Sequence, residues 1–310
     1  MLHAATTASQ KRQALRSALV QPTEGTALLR FIGAFTPLST SLVAGKGFEG
    51  VYVSGAVVSA ELGLPDIGLT TLTEVAARAA QVARTTDLPV LVDADTGFGE
   101  PMNVARTVQV LEDAGIAGLH LEDQVNPKRC GHLDGKQVVP REVAAQRIAA
   151  AVRARRDPDL LIMARSDARA VEGLDAAIER LKAYVDAGAD AVFPEAMLTL
   201  ADYERVVSAV DVPVLANLTE FGKAPLFTHA QLADVGVRIA LHPVSLLRTA
   251  MGAVERALDA LATTGTLEGE VSSMLTRARL YELIDYAGYN DFDADVFTFE
   301  VPDGKKGLQA

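Results

Sequence analysis

Eight short runs rich in β-branched and apolar residues recur along the chain, and stretches with helical periodicity separate them. They are FIGAF (31–35), GVYVS (50–54), PVLVDAD (89–95), AGLHLED (117–123), LLIMAR (160–165), AVFPE (191–195), PVLAN (213–217) and VRIALH (237–242). Most are continuous apolar runs rather than alternating ones, the pattern of strands buried on both faces of a parallel sheet. An antiparallel sandwich is thereby disfavoured. Between the runs, Leu174, Ala177, Ile178, Leu181 and Val185 form the one-sided stripe of a helix over 173–187. Thr71 and Glu74 offer a capping box to a helix running through Arg84. Three helices lead into glycine-containing links, GKGFEG, DAGIAG and DAGAD, where a left-handed cap is expected. Eight strand–helix units with right-handed crossovers predict an α/β fold, a single (β/α)8 TIM-type barrel over residues 1–310. An open doubly wound sheet is less favoured, and no Gly-x-Gly-x-x-Gly follows the first strand.

Helix continues after the eighth run, from Ser245 to Thr263 and from Glu268 to Tyr286, which is more than a minimal barrel needs. These additional C-terminal helices (245–290) either cap the barrel or pack on a neighbouring subunit. The tail from Asp303 reads as disordered.

Charge and cysteine usage narrow the setting. Against 29 Lys plus Arg stand 40 Asp plus Glu, a formal charge of −11 that argues against a nucleic-acid partner. No apolar run approaches the roughly 18 residues that span a membrane. Cys130 is the sole cysteine and no Cys/His spacing resembles a zinc site, so a reducing, cytoplasmic compartment is expected. Residues 1–23 carry Lys11, Arg12 and Arg16 and no acid, a faint transit-peptide pattern; without an uncharged core they read instead as an amphipathic first helix.

In a barrel of this kind catalytic groups sit at the C-terminal ends of strands. Here those ends read Ser54-Gly55, Asp93-Ala-Asp95, Glu122-Asp123, Arg165-Ser-Asp167, Glu195, Asn217 and His242. Asp93 and Asp95 lie two apart on a strand and share a face, with Gly97 and Gly99 letting the next loop turn away. Paired hard oxygens suit Mg²⁺, with Mn²⁺ a second choice, and Glu122 nearby strengthens that reading over helix capping or an arginine pair. Cys130 sits in Lys128-Arg129-Cys130-Gly131-His132, where flanking cations would lower a thiol pKa; a packing cysteine would not want them. Arg165, Arg248 and Arg277 could converge on an anionic substrate, although each alone reads as a surface ion pair. His120 shares a face with Glu122 and either orients a ligand or is a satisfied core histidine.

Taken together these motifs resemble the isocitrate lyase and phosphoenolpyruvate mutase superfamily, most closely its bacterial 2-methylisocitrate lyases, over about Ala27 to Tyr286. The segments that carry the resemblance are LGLPD (62–66), VDADTGFG (92–99), LHLEDQV (119–125), KRCGH (128–132), MARSDA (163–168), VEGLDAAIER (171–180), FPEA (193–196) and NLTEFG (217–222). The resemblance implies a Mg²⁺-dependent cleavage of (2S,3R)-2-methylisocitrate to pyruvate and succinate, in propionate catabolism. It implies that Asp93 and Asp95 hold the metal, with Asp66 and Glu122 in its outer shell. Ser54, Gly55, Ala56, Cys130, Gly131, Arg165, Glu195, Asn217, Leu218, Thr219, Arg248 and Arg277 would line the substrate. Cys130 would be the general acid, Tyr52 a candidate base, and closure of the 126–136 loop would exclude water. A homotetramer that exchanges its C-terminal helices is also implied.

Two departures from the family pattern stand out. The segment SGAVVSAELGLPD is one residue short and has Ala56 where glycine is common, and Asp134 adds a carboxylate beside the thiol. Isocitrate lyase is the nearest rival; its KKCGH and Asn-x-Ser-Pro-Ser stretches are replaced here by Arg129 and by Asn217-Leu218-Thr219-Glu220-Phe221. A 2,3-dimethylmalate lyase or a carboxyphosphonoenolpyruvate mutase would keep the same thiol loop. A non-catalytic barrel would have little reason to retain Asp93, Asp95, Cys130 and Arg165 together.

Overall fold

The structure, a computed structural model, describes residues 4–20, 28–129 and 135–297. Cys130, Gly131, His132, Asp134 and the tail from Asp303 lie outside the described residues. Eight strands follow in order: β1 (Leu29–Gly33), β2 (Gly50–Val53), β3 (Val90–Asp93), β4 (Gly118–Glu122), β5 (Leu161–Ser166), β6 (Ala191–Pro194), β7 (Leu215–Asn217) and β8 (Ile239–His242). Helix α1 (Ala8–Val20) precedes them. Between them run α2 (Pro37–Ala44), α3 (Gly55–Glu61), α4 (Leu72–Ala83), α5 (Pro101–Asp113), α6 (Arg141–Ala154), α7 (Leu174–Asp186), α8 (Leu200–Ala209) and α9 (His229–Asp234). After β8 come α10 (Ser245–Thr264), α11 (Arg277–Leu283) and α12 (Tyr286–Phe297).

Every strand pairing is parallel, in the order β6-β5-β4-β3-β2-β1-β8-β7. The ends of that order meet through a parallel bridge between Val192 and Val214, so the sheet closes on itself. Each expected apolar run overlaps a strand, with β1 starting earlier than FIGAF, at Leu29. Alternation along the strands sorts the side chains into two layers. Phe31, Tyr52, Leu91, Leu161, Met163, Phe193, Leu215, Ile239 and Leu241 fill the barrel interior. Ile32, Val51, Val53, Val90, Val92, Leu119, Leu121, Ile162 and Val192 face outward beneath the helices. Both layers are apolar, which is why the runs read as continuous rather than alternating.

The local signals correspond to observed caps. Thr71 accepts from the Glu74 N–H while Glu74 reaches back, closing the expected box on α4. Gly47, Gly115 and Gly188, one in each of the three links, take left-handed backbone angles. Along α7 the buried side includes Arg180 and Tyr184, whereas Leu174 and Val185 are half-buried.

The basic residues of α1 have a structural use. Lys11 donates to Ala83 O at the end of α4, and Arg12 donates to Glu112 O and Ile116 O around the end of α5. Cations there satisfy carbonyls that helix ends leave open and complement the helix dipole. Leu15 and Leu19 of the same helix join the interior layer of the barrel.

The expected helix over 268–286 is broken. Glu268–Ser273 is a 3-10 turn, Thr276 caps a fresh start by accepting from the Arg279 N–H, and Asp285 takes a left-handed φ of 54° between α11 and α12. Helices α10, α11 and α12 bury none of their described residues. Met251, Val254, Leu258, Leu261, Tyr281, Tyr289 and Phe292 stand exposed on them, and Ile284 just after α11. No helix among the described residues is long and apolar enough to cross a membrane.

Leu15 is 1% exposed, so Leu15→Ala leaves a cavity under the barrel. The expected loss is about 2–5 kcal/mol of unfolding free energy, read by urea titration with the m-value unchanged.

Candidate active site

The C-terminal ends of the strands converge on a cavity of about 220 Å³, whose walls come from the strand ends, the loops after them and the start of α10. Asp93 ends β3 and lines this cavity; Asp95, past the strand with a left-handed φ of 46°, lines the adjoining cleft with Thr96 and Asn126, and the loop leaves sharply because Gly97 takes a positive φ of 92°. A Cβ at Gly97 would also meet Val104 at 2.5 Å. Asp93 Oδ2 accepts from the Gly55 N–H at 3.1 Å and Oδ1 from the Asp95 N–H at 3.1 Å. A side chain at Gly55 would sit 3.1 Å from both carboxylates. Gly55 therefore braces Asp93 and is not one of the cavity's walls, whereas its neighbours Ser54 and Ala56 are. Ser54 makes no side-chain cap to α3, so its hydroxyl is not committed there.

One cation already stands among the acids. Lys128 Nζ lies 2.5 Å from Asp66 Oδ1 and 2.7 Å from Asp95 Oδ1. Gln124 holds that segment in place, donating to Arg129 O and accepting from the Arg129 N–H, both at 2.8 Å. Lys128, two residues before the thiol in sequence, directs its ammonium at carboxylates. The aspartates divide in character. Burial opposes charge on Asp93, but His120, Lys128 and Arg165 outweigh it and hold Asp93 down to about 2. Burial and the charge of Asp93 push Asp95 up to about 6 in spite of Lys128.

Glu122 is fully enclosed, and burial drives its pKa well above the carboxylate range despite Arg165 and Lys128. Neither of its carboxyl oxygens accepts a hydrogen bond among the described residues, although Arg165 Nε lies 3.4 Å from Oε2. Such buried acceptors are where a hydrated cation's waters could donate. No three His, Cys, Asp or Glu side chains among the described residues converge into a complete metal cage. An ion held there by Asp93 and Asp95 would draw its other ligands from water and substrate, the habit of Mg²⁺. The donor set, all hard oxygen, fits that ion.

Arg165, beside Glu122, also has Nη2 3.2 Å from Glu195 Oε2, and its guanidinium stacks 5.0 Å over the Phe193 ring. Asn217 Nδ2 donates to Glu195 Oε2 at 3.1 Å, leaving Asn217 Oδ1 buried without a partner among the described residues. Arg248 donates to Thr219 Oγ1 and to Glu220 O at the cavity mouth. Leu218 faces away into the outer core, because flanking Asn217 and Thr219 face in. Arg277 is also displaced from its expected place: it is exposed at the start of α11, which runs beside α2 and supplies no wall of this cavity. Cys130 and Gly131 fall outside the described residues.

Tyr52 and His120 form a buried pair, with the phenol oxygen 2.7 Å from Nε2. Burial, then the charge of Asp93, push the Tyr52 hydroxyl well above its usual range. Burial outweighs Asp93 and lowers His120 to about 4, so its imidazole is neutral at pH 7. Tyr52 is therefore a protonated hydroxyl that can accept a proton only while passing its own to His120. His120, whose strand position two before Glu122 fits either a ligand-orienting or a core histidine, is the buried hydrogen-bond partner of Tyr52.

Residues 17–262 match the phosphoenolpyruvate phosphomutase family. The chain is 60% identical to a probable 2-methylisocitrate lyase 2 of Corynebacterium glutamicum, over 94% of both chains. It is 48% identical to the 2-methylisocitrate lyase of Escherichia coli, over 85% of this chain and 90% of that one. Among solved structures it resembles a phosphonopyruvate hydrolase in complex with oxalate and Mg²⁺, with a TM-score of 0.83 and 28% identity over 93% and 99% of the two chains. The chain belongs to the phosphoenolpyruvate mutase family and, within it, to the 2-methylisocitrate lyases.

Proposed function

We infer that the chain is a carbon–carbon lyase that cleaves 2-methylisocitrate to pyruvate and succinate. The observation that carries this reading is the identity with lyases of that name over most of both chains. The cavity suits the substrate: Asp66, Asp93 and Lys128 line it together with Arg165, Arg248, Glu195 and Asn217, and an apolar wall includes Phe193, Leu241 and Pro243 for a methyl group.

Asp93 and Asp95 would hold Mg²⁺ or Mn²⁺, with Asp66 and Glu122 receiving its waters. When bound, that ion polarises the hydroxyl and carboxylate of the pyruvate half. Arg165, Asn217, Thr219 and Arg248 orient the remaining carboxylates, and Ser54 and Ala56 floor the site. Glu195 fixes Arg165 and Asn217 in their places. Tyr52 takes the substrate's hydroxyl proton as it passes its own to His120 Nε2. Breaking the carbon–carbon bond leaves the aci-carboxylate of succinate, which Arg165 stabilises and the Cys130 thiol protonates.

The protein works in the cytoplasm, and its subunits assemble as a tetramer that exchanges the helices of 245–290. The apolar side chains left open on α10, α11 and α12 support that assembly, and so does the distance of Arg277 from its own cavity.

Pyruvate release from 2-methylisocitrate is expected to depend on Mg²⁺ and to exceed glyoxylate release from isocitrate. A methyl group is worth only about 1–3 kcal/mol of discrimination, so both products are assayed side by side. Cys130→Ala and Tyr52→Phe should each lower kcat by about 10²–10⁴-fold; dominant glyoxylate or an active Cys130→Ala would overturn the assignment. Mg²⁺ affinity should fall as pH drops through about 6, where Asp95 takes up a proton that competes with the metal, as calorimetry at pH 5.5 and 7.5 can show. Light scattering should give four times the monomer mass, and a monomer would refute the exchanged-helix assembly.

A further inference from the structure

The lyase reading uses Arg165 as an anion receptor, yet carboxylates surround it. Besides Glu122 and Glu195, Asp167 accepts from Arg165 Nε at 3.0 Å and from Nη2 at 3.3 Å. A guanidinium so matched has little positive potential left for a substrate carboxylate. The structure supplies a second cation at this point. Lys136 Nζ donates at 3.0 Å to Asp167 Oδ1, the oxygen that also faces Arg165 Nη2. Both partners are buried, Lys136 at 8% exposure and Asp167 at 0%.

Asp167 is itself held rigidly. Its N–H donates to Asp123 Oδ1 at 2.9 Å, and Asp123 Oδ2 accepts from Ser166 Oγ at 2.7 Å and Tyr184 OH at 2.9 Å. Arg180 Nη1 stands 3.7 Å behind Asp123. Asp167 therefore cannot swing away from either cation, and its one charge is divided between them. We propose that Lys136 is a positioning residue for substrate: by sharing Asp167, it frees the Arg165 guanidinium to attract and orient a substrate carboxylate. Lys136 does not line the cavity, so it acts through Asp167 and Arg165.

This proposal rests on the lyase reading, and two readouts separate them. The first is KM and kcat for 2-methylisocitrate; the second is the Kd of oxalate, a dicarboxylate probe, by calorimetry in saturating Mg²⁺. Lys136→Met should raise KM and the oxalate Kd by about 10-fold or more, with any fall in kcat, through the weakened Arg165, smaller than the rise in KM, and Lys136→Arg should restore both. Lys136→Gln keeps a donor for Asp167 without the charge and should lose affinity as Lys136→Met does. It also serves if the methionine variant fails to fold. Unchanged oxalate affinity in folded Lys136→Gln, or a fall in kcat with KM intact, overturns the proposal. Oxalate binding that needs Lys136 in a protein inactive on 2-methylisocitrate would sink the lyase reading alone.

Discussion

A closed parallel sheet with apolar residues on both faces of its strands confines polar chemistry to the strand ends. Interior and outer layers are both needed for packing, and every uncompensated charge within them would cost several kcal/mol. The described strands obey this: Phe31, Leu91 and Met163 inside, Val51, Val92 and Ile162 outside. Asp93, Glu122 and Arg165 come at the last pairs of the β3–β4 and β4–β5 ladders, and Asp95, Asp167 and Glu195 just beyond their strands. The mouth of the barrel thus carries a concentration of ionisable groups that the apolar layers of the strands exclude.

Crowding makes those groups unlike one another. Asp93 stays ionised because three nitrogenous neighbours face it, whereas Asp95 and Glu122 are pushed toward their neutral forms by burial. Lys128 on the acid side and Lys136 on the arginine side flank the thiol-bearing segment in sequence, and each meets a different cluster. Lys128 and Lys136 are thus tied into the site by ion pairs with low solvent exposure. Electrostatic preorganisation of this kind is a large share of catalytic stabilisation when charge builds up on a substrate.

The C-terminal helices follow a different logic. Leu246 at the start of α10 packs against the core, but none of the described residues of α10, α11 and α12 is fully buried, and most of the apolar side chains farther along them stay exposed. Arg277 rides on that segment, outside the walls of the cavity.

Much of this was legible in the residues alone. Strand identity, the barrel and the Asp93, Asp95, Glu122, Arg165 and Glu195 frame follow from apolar runs ending in charge, since periodicity and strand-end position are local properties. Boundaries were less so: a capping Thr276 and a left-handed Asp285 break the helix expected over 268–286. The partners of Lys128 and Lys136 lie 33 to 62 residues away for Asp95 and Asp66, and 31 away for Asp167. The facing directions of Leu218 and Gly55 depend on how neighbouring strand ends pack around one cavity. Local sequence sets which residues reach the mouth of the barrel; only the closed sheet, by bringing distant strand ends within hydrogen-bonding distance, decides which of them meet and in what charge state.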